Sequence, residues 1–195
     1  MTYSADFIRV SRNVRLETDR LILREHRLED LLPLHAILSD PAATWYLPFM
    51  RKDELAETES YLRSAMRDAE RPVRLRYNLA VEEKATGALL GSVGLHVIDG
   101  STEGSHYGLG YFIRPESWNL GYATEAAREA LRFMFSGNAC RVSATCLAEN
   151  LGSRCVAEKC GMTQEALLLA HTWHEGKWRD CVMYRLLKEE YENNR

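Results

Sequence analysis

The spacing of apolar residues along this chain alternates between a period of two and a period near three and a half, and the changes mark its elements. The clearest change falls between Leu109 and Phe135. Leu109-Gly110-Tyr111-Phe112 reads as a strand, and Pro115 stops it because proline cannot donate to a ladder. After Gly121, apolar residues recur at Ala123, Ala126, Ala127, Ala130, Leu131 and Met134, which is one buried helical face. Arg128, Glu129 and Arg132 fall on the other side. A strand, a tight loop and a bare helix start suit an anion, because the first helical N–H groups lack partners and the helix dipole adds positive charge. The loop has neither the Gly-x-Gly-x-x-Gly nor the Gly-x-x-x-x-Gly-Lys-Ser/Thr pattern. A diphosphate there would be held mostly by backbone, with Trp118, Asn119 and Leu120 shaping the loop; many such units carry no ligand.

Taken in order, residues 1–14 read as an N-terminal arm or a short extra strand, the latter at Phe7 to Val10. A first strand covers 20–27, with Leu21 and Leu23 alternating against Arg20 and Arg24. A helix over 30–39 ends at Asp40-Pro41. The stretch from Ala42 to Met50, broken by Pro48, reads as a loop, and Asp53 to Ala69 as a second helix. Strands follow over 75–81, 89–98 and 106–113, separated by a charged turn at 82–86 and by Asp99-Gly100-Ser101-Thr102. Beyond the central helix come a strand over 140–146, a helix over 150–159 stopped by Gly161, and two strands over 163–173 and 179–187 joined by the hairpin turn 174–177. The order predicts an α/β (α+β) fold in one domain over 15–190, a central mixed sheet with helices on both faces, and a tail over 191–195.

Composition narrows the class. With 195 residues, 46% hydrophobic and 27% charged, the chain is of ordinary globular make-up and can build a sizeable core. A net charge of −3 gives no nucleic-acid footprint, and no stretch is apolar enough for a membrane span or a signal sequence. Five scattered cysteines, 140, 146, 155, 160 and 181, suggest free thiols in a reducing, cytoplasmic setting. They show no zinc-binding spacing, so no metal is expected.

The residues Trp118-Asn119-Leu120-Gly121-Tyr122-Ala123 match the last two signature positions of a coenzyme A loop, Gln/Arg-x-x-Gly-x-Gly/Ala, with Trp118 in the first. In order along the chain stand also Glu17-Thr18-Asp19-Arg20-Leu21-Ile22-Leu23-Arg24, Asn150-Leu151-Gly152-Ser153, Glu158-Lys159-Cys160-Gly161-Met162 and Gly176-Lys177-Trp178-Arg179-Asp180. On these residues, over about 15–188, the chain resembles the GCN5-related N-acetyltransferase (GNAT) superfamily, in its ribosomal-protein alanine N-acetyltransferase (RimJ/RimL-like) branch. The resemblance implies a mostly antiparallel twisted sheet splayed between the family's fourth and fifth strands. It implies acetyl-CoA in that gap, with pantetheine along the exposed edge at Tyr111, Phe112 and Ile113. The diphosphate would lie on Trp118, Asn119, Leu120, Gly121, Tyr122, Ala123 and Thr124, and the arm or thioester near Asn150 and Ser153. The partner implied is an amine, either a protein N-terminus or a small molecule such as a polyamine, with the enzyme a monomer or homodimer.

Acetyl transfer to an amine needs a neutral nucleophile in reach, donors for the oxyanion and a proton for the departing thiolate. Relatives often carry a glutamate two residues before the Gly-Tyr pair, and here that position is Gly108. His106 faces the same way along the strand and is the candidate base, its ordinary pKa near 6.5 suiting proton removal; Tyr107 faces the other way. A solvent-facing histidine at a turn explains His106 equally simply. His96 and Glu82 are rivals, read most simply as structural. Many relatives place a general-acid tyrosine where this chain has Ala157. Ser153 could donate to the thiolate instead, and Asn150 and Ser153 also read as helix-capping residues. Glu125, in the first turn of the central helix, reads as a dipole-favoured acid. Trp45, Tyr46, Tyr107 and Trp173, with Phe49, His171, His174 and Trp178, are the candidate substrate walls, and Trp173 and Trp178 could instead pack the last hairpin.

Overall fold

The computed structural model describes residues 13–101 and 103–193. Their strands are β1 (Arg15–Glu17), β2 (Leu21–Glu25), β3 (Arg76–Glu83), β4 (Leu89–Ser101), β5 (Gly104–Ile113), β6 (Ala139–Leu147), β7 (Thr163–His174) and β8 (Lys177–Leu187). They form one sheet in the order β1-β2-β3-β4-β5-β6-β8-β7. Only β5 and β6 run parallel; every other neighbouring pair is antiparallel. The helices are α1 (Leu31–Leu38), α2 (Pro41–Thr44), α3 (Leu55–Glu70), α4 (Tyr122–Phe135), α5 (Leu151–Lys159) and α6 (Lys188–Asn193).

The period-two alternation sorts the side chains into two layers. Leu21, Leu23, Leu79, Leu109, Val142 and Leu186 point to one face and meet Ala126, Ala127, Ala130, Leu131 and Met134 of α4. Three of these five α4 positions are alanines, which lets the helix lie close to the strands. On the opposite face Leu34, Ile37 and Leu38 of α1 and Leu62 of α3 pack on Ala80, Leu89 and Phe112. Leu21, Leu23, Leu34, Leu38 and Leu62 are fully buried, each contributing about 1.5–3 kcal/mol through apolar burial.

The parallel pair governs the site. β5 and β6 pair from Ser105 with Ala139 to Gly108 with Ser143, and there the ladder ends. Beyond it β5 continues to Ile113 against β4, and β6 continues to Leu147 against β8. The strands therefore part, and the cleft opens at their C-terminal ends, where α4 begins. This is the mixed, mostly antiparallel, splayed sheet expected from the sequence.

Three local readings change. Asp40-Pro41 ends α1 but also starts α2, because the Asp40 carboxylate accepts from the Ala42 amide at 2.7 Å and Pro41 takes the first helical position. Ala42 to Met50 is thus a short helix and a 3-10 turn at Pro48–Met50 rather than an open loop. β1 pairs with β2 although three residues are too few to show a period. Residues 191–193, read as tail, belong to α6, where Tyr191 stacks on Phe135 at 4.8 Å. The strand expected at Phe7 to Val10 lies outside the described residues. The hairpin turn stands as expected: Glu175 and Gly176 have φ of 48° and 73°, the sign a type I′ turn requires.

A buried ion cluster ties β2 to the start of α1. Arg24 binds Asp30 through two N–H groups, at 2.7 and 2.8 Å, and Glu82 through Nε at 2.7 Å. Burial alone would raise the Asp30 pKa, but hydrogen bonds from Arg24, His26 and the Arg27 amide hold it far below the usual carboxylate range. The folded-state value is depressed, so the stabilisation is complete above the unfolded value near pH 4 and is lost as pH falls below it. Asp30→Asn is therefore expected to flatten the acid limb of the stability curve below about pH 4, relative to the parent. Urea unfolding at pH 2.5, 4 and 7 measures this, and an unchanged slope between pH 4 and 2.5 would refute it.

Candidate active site

The loop from Arg114 to Gly121 builds the mouth of the cleft. Pro115–Ser117 forms a 3-10 turn, and Trp118 folds back so that its indole N–H donates to the Ile113 carbonyl at 2.6 Å. Asn119 and Gly121 then take positive φ, 60° and 83°. At Gly121 this left-handed geometry is the N-cap of α4, and no side chain caps the helix. The first amides of α4 are thus presented to solvent at the cleft mouth, the arrangement that binds anions. The loop residues Trp118, Asn119, Leu120, Gly121, Tyr122, Ala123 and Thr124 all sit here.

A second set of residues fixes that helix start, and sequence reasoning gave it no role. Arg20 stands beside Gly121, donates to the Leu120 carbonyl at 3.0 Å, and stacks over the Tyr122 ring at 4.4 Å. Its Nε also donates to Glu125 at 2.7 Å, and Thr18 donates to the same carboxylate. Partial burial opposes ionisation of Glu125, but hydrogen bonds from Thr18 and Arg20 outweigh it and keep the pKa low. Glu125 is therefore an anchor for Arg20, beyond its dipole-favoured place. The Tyr122 hydroxyl donates to Glu83. The signal was present in the run Thr18-Asp19-Arg20, which matched a pattern without a stated role.

Inside the cleft, on the α4 face, β5 meets α5. Asn150 caps α5, its Oδ1 accepting from the Ser153 amide at 3.0 Å. The Tyr111 hydroxyl lies 3.0 Å from Ser153 Oγ and 3.1 Å from the Ser153 carbonyl. Burial pushes the Tyr111 phenol up, only partly offset by Ser153, so it stays protonated. Ala157, one turn on, is buried in the core. Tyr111 thus places a phenol from β5 beside Ser153, one turn before Ala157. Phe112 points the other way, into the α1–α3 layer, and Ile113 is buried under α4. Arg154 and Arg128 are engaged locally, the first with the Ala148 carbonyl and the second with the Lys159 carbonyl.

The opposite face carries the imidazoles. His106, Gly108 and Gly110 line it along β5, and the register sets His96 of β4 directly across from Gly108. His106 is half-buried, with Nε2 2.8 Å from Ser143 Oγ and 3.4 Å from Arg141 Nε. An arginine N–H only donates, so Nε2 serves as an acceptor here. Burial first, then Arg141, lowers the His106 pKa; burial first, then Arg76, lowers that of His96. Glu82 is held by Arg24 and Arg27 and lies away from this set.

Of the expected substrate walls, Trp45 is half exposed and meets His174 edge-on at 5.3 Å, which joins the end of α2 to the last hairpin. His174 is buried, and among the described residues its ring nitrogens make no hydrogen bond. Trp173 and Trp178 pack on each other edge-on at 5.7 Å and remain largely exposed. Tyr46 follows Trp45 and is partly exposed. Tyr107 does not join them. It is 2% exposed on the α4 face, and its hydroxyl donates to Asn138 at 3.1 Å, so it is a core residue and not a groove wall.

Comparisons with known proteins converge. Residues 20–163 match the family model for the acetyltransferase (GNAT) domain. YnaD of Bacillus subtilis, an uncharacterized N-acetyltransferase, is 30% identical over 184 residues, spanning 91% of this chain and 99% of that protein. An acetyltransferase (GNAT family) from Bacillus anthracis has a crystal structure that superposes with a TM-score of 0.76 at 26% identity, covering 90% of this chain and 99% of that one. Two more distant structures share the fold. One is spermidine N-acetyltransferase from Vibrio cholerae with CoA and spermine, at 21% identity and TM-score 0.76, covering 90% of this chain and 100% of that one. The other is RimL, a ribosomal L7/L12 alpha-N-protein acetyltransferase with coenzyme A, at 17% and 0.75, covering 93% and 97%.

Proposed function

This chain belongs to the GNAT acetyltransferase family and is an N-acetyltransferase, and on that premise we propose that it moves an acetyl group from acetyl-CoA to a primary amine by direct attack. The observation that carries the reading is the cleft itself: β5 and β6 stop pairing at Gly108 and Ser143, and the uncapped start of α4 stands at the opening. The residues present fit the donor. Backbone amides from Tyr122 onward, flanked by Arg20, suit a diphosphate. The edge of β5 beyond Gly108 offers peptide groups to the pantetheine amides at Tyr111, the Ile113 carbonyl being held by the Trp118 indole. Bound acetyl-CoA supplies the activated thioester; the chain supplies position and proton movement.

The two faces of the sheet divide the work. The donor arm enters on the face of α4 and α5, where Asn150, Ser153 and Tyr111 converge. Ser153 protonates the departing thiolate, with the Tyr111 hydroxyl behind it to replenish the proton. The amine approaches from the face of His106 and Gly108, where the splay begins just beyond the Gly108–Ser143 pair. Trp45, Tyr46 and Trp173 flank that approach.

The acceptor that fits best is a protein N-terminal amine. Tryptophans 45, 173 and 178 expose apolar surface around the last hairpin, and of the two carboxylates near the imidazoles Glu165 is bound to Arg141 and Asp99 accepts from the Gly100 amide. A polyamine would call for unpaired acidic groups. Calorimetric titration with acetyl-CoA, followed by thiol release on N-terminal peptides and on spermidine, tests the reading. A chain that binds no acetyl-CoA refutes it, and faster turnover of spermidine than of every peptide refutes the acceptor. Ser153→Ala is expected to lower kcat about tenfold with little change in the KM for acetyl-CoA, as for loss of one proton donor. An unchanged kcat removes Ser153 from the proton path.

A further inference from the structure

We propose that His96 is the general base of the transfer, reaching from β4 into the place that a side chain at position 108 would fill from β5. This rests on the acetyl-transfer reading above. A Cβ built on Gly108 would lie 2.3 Å from His96 Cε1 and 2.6 Å from its Nε2. The Nε2–Cε1 edge of the ring therefore occupies the position of the absent side chain. Gly108 is not a neutral loss of a carboxylate; it is the vacancy that admits the imidazole, since any larger residue would drive the ring off the strand.

Three further facts favour His96 over His106. Gly108 and Ser143 form the last pair before β5 and β6 part, so the His96 ring edge lies at the start of the cleft, while His106 lies one step further back in the paired region. His106 Nε2 already faces Ser143 and Arg141, whereas His96 makes no side-chain hydrogen bond among the described residues. His96 is also the more exposed of the two, which gives the captured proton a route to water. The charged and titratable groups around this pair are Arg76 on β3, Asp99 at the far end of β4, Arg141 on β6 and Glu165 on β7. His96 also lowers the pKa of His106. His106 thus acts as a positioning residue that keeps a neutral ring beside His96.

The proton balance closes. An ammonium R–NH3⁺ gives one proton to His96; its nitrogen lone pair forms the C–N bond and the C–S bond breaks with its electron pair on sulfur. After His96 has passed the first proton to water, it takes the second from the nitrogen and passes that on as well. Ser153 gives one proton to the thiolate and is re-protonated from water through Tyr111. The products are the acetamide, the free thiol and, in net, one proton released to solvent.

The test compares the parent, H96A, H96Q, H106N and the double variant H96A/G108E. Each is assayed with an alanine-initiated octapeptide and with spermidine from pH 5.5 to 9.5, alongside calorimetric titration of acetyl-CoA. H96A and H96Q are expected to lose about 10²-fold or more in kcat/KM while binding acetyl-CoA within twofold of the parent, the usual scale for a lost general base. H106N is expected to shift the pH profile and to lose less. H96A/G108E is expected to recover at least tenfold over H96A, its acid limb displaced to carboxylate pH. H96A within threefold of the parent overturns the assignment, as does acetyl-CoA binding with no turnover of either amine by the parent. Failure of the parent to bind acetyl-CoA overturns the cleft reading instead. A readout without donor is the His96 Cε1–H resonance, which G108A is expected to move by pushing the ring aside; an unmoved resonance overturns the packing.

Discussion

Arg74→Ala is expected to lower the unfolding free energy by about 3–5 kcal/mol, the cost of leaving a buried charge without its partner. The Arg74 side chain is fully buried. Its two terminal N–H groups reach Glu25 at 2.6 and 2.8 Å, its Nε donates to the Arg76 carbonyl at 2.8 Å, and its guanidinium stacks over Tyr77 at 4.2 Å. Truncation leaves the Glu25 carboxylate with the Val14 amide in place of its buried arginine, frees the Arg76 carbonyl and removes packing against Tyr77. For a chain of this length the midpoint of thermal unfolding should fall by about 6–20 °C. The double variant E25Q/R74M removes the orphaned charge and should recover a large part of the loss, because a buried pair contributes little beyond an apolar substitute of similar volume. Denaturant unfolding of both variants decides it; a loss under about 1 kcal/mol for Arg74→Ala would mean the guanidinium is hydrated in solution.

The second large effect is expected at the helix start. Gly121→Asp places a carboxylate where α4 presents its amides. Aspartate tolerates left-handed backbone better than most residues, so the fold should survive. The new charge competes for the amides and for Arg20, which stands 3.4 Å from the position of the added Cβ. The KM for acetyl-CoA is expected to rise about 10–100-fold, or roughly 1.4–2.8 kcal/mol, with a smaller change in kcat. Gly121→Ala separates charge from strain. It should cost about 1–2 kcal/mol of stability through its positive φ, with much less change in KM. Equal KM increases for the two variants would show that loop geometry and not charge controls donor binding, and a KM within twofold for Gly121→Asp would place the diphosphate elsewhere.

The sequence determined the elements and the donor loop because both are written in local spacing. The alanine-rich stripe of α4, the proline that ends β5 and the Gly-Tyr-Ala start of the helix lie within thirty residues of one another. The same locality misplaced the short pieces. Asp40-Pro41 is both a stop and a start, and the four-residue helix that it caps is too short to show a period. β1 is too short to display a period, and α6 is held by Tyr191 on Phe135, 56 positions earlier in the chain.

The proposed catalytic arrangement depends on pairings that spacing does not encode. Along β5 alone, Gly108 reads as a missing acid and His106 as its nearest substitute. The register of β4 against β5 brings His96 onto Gly108, and a strand slipped by one residue would have turned that ring to the other face. Likewise Ser153 reads as a helix cap until the twist of the sheet brings the Tyr111 hydroxyl to it across 42 positions. Arg20 and Glu125 are 105 positions apart and meet because β2 passes under the first turn of α4. Sequence thus fixed which segments coil, extend and turn, since these follow from side-chain period and backbone sterics. Which atoms face one another across the cleft was decided by strand register and by the ending of one parallel ladder, which are properties of the folded sheet as a whole.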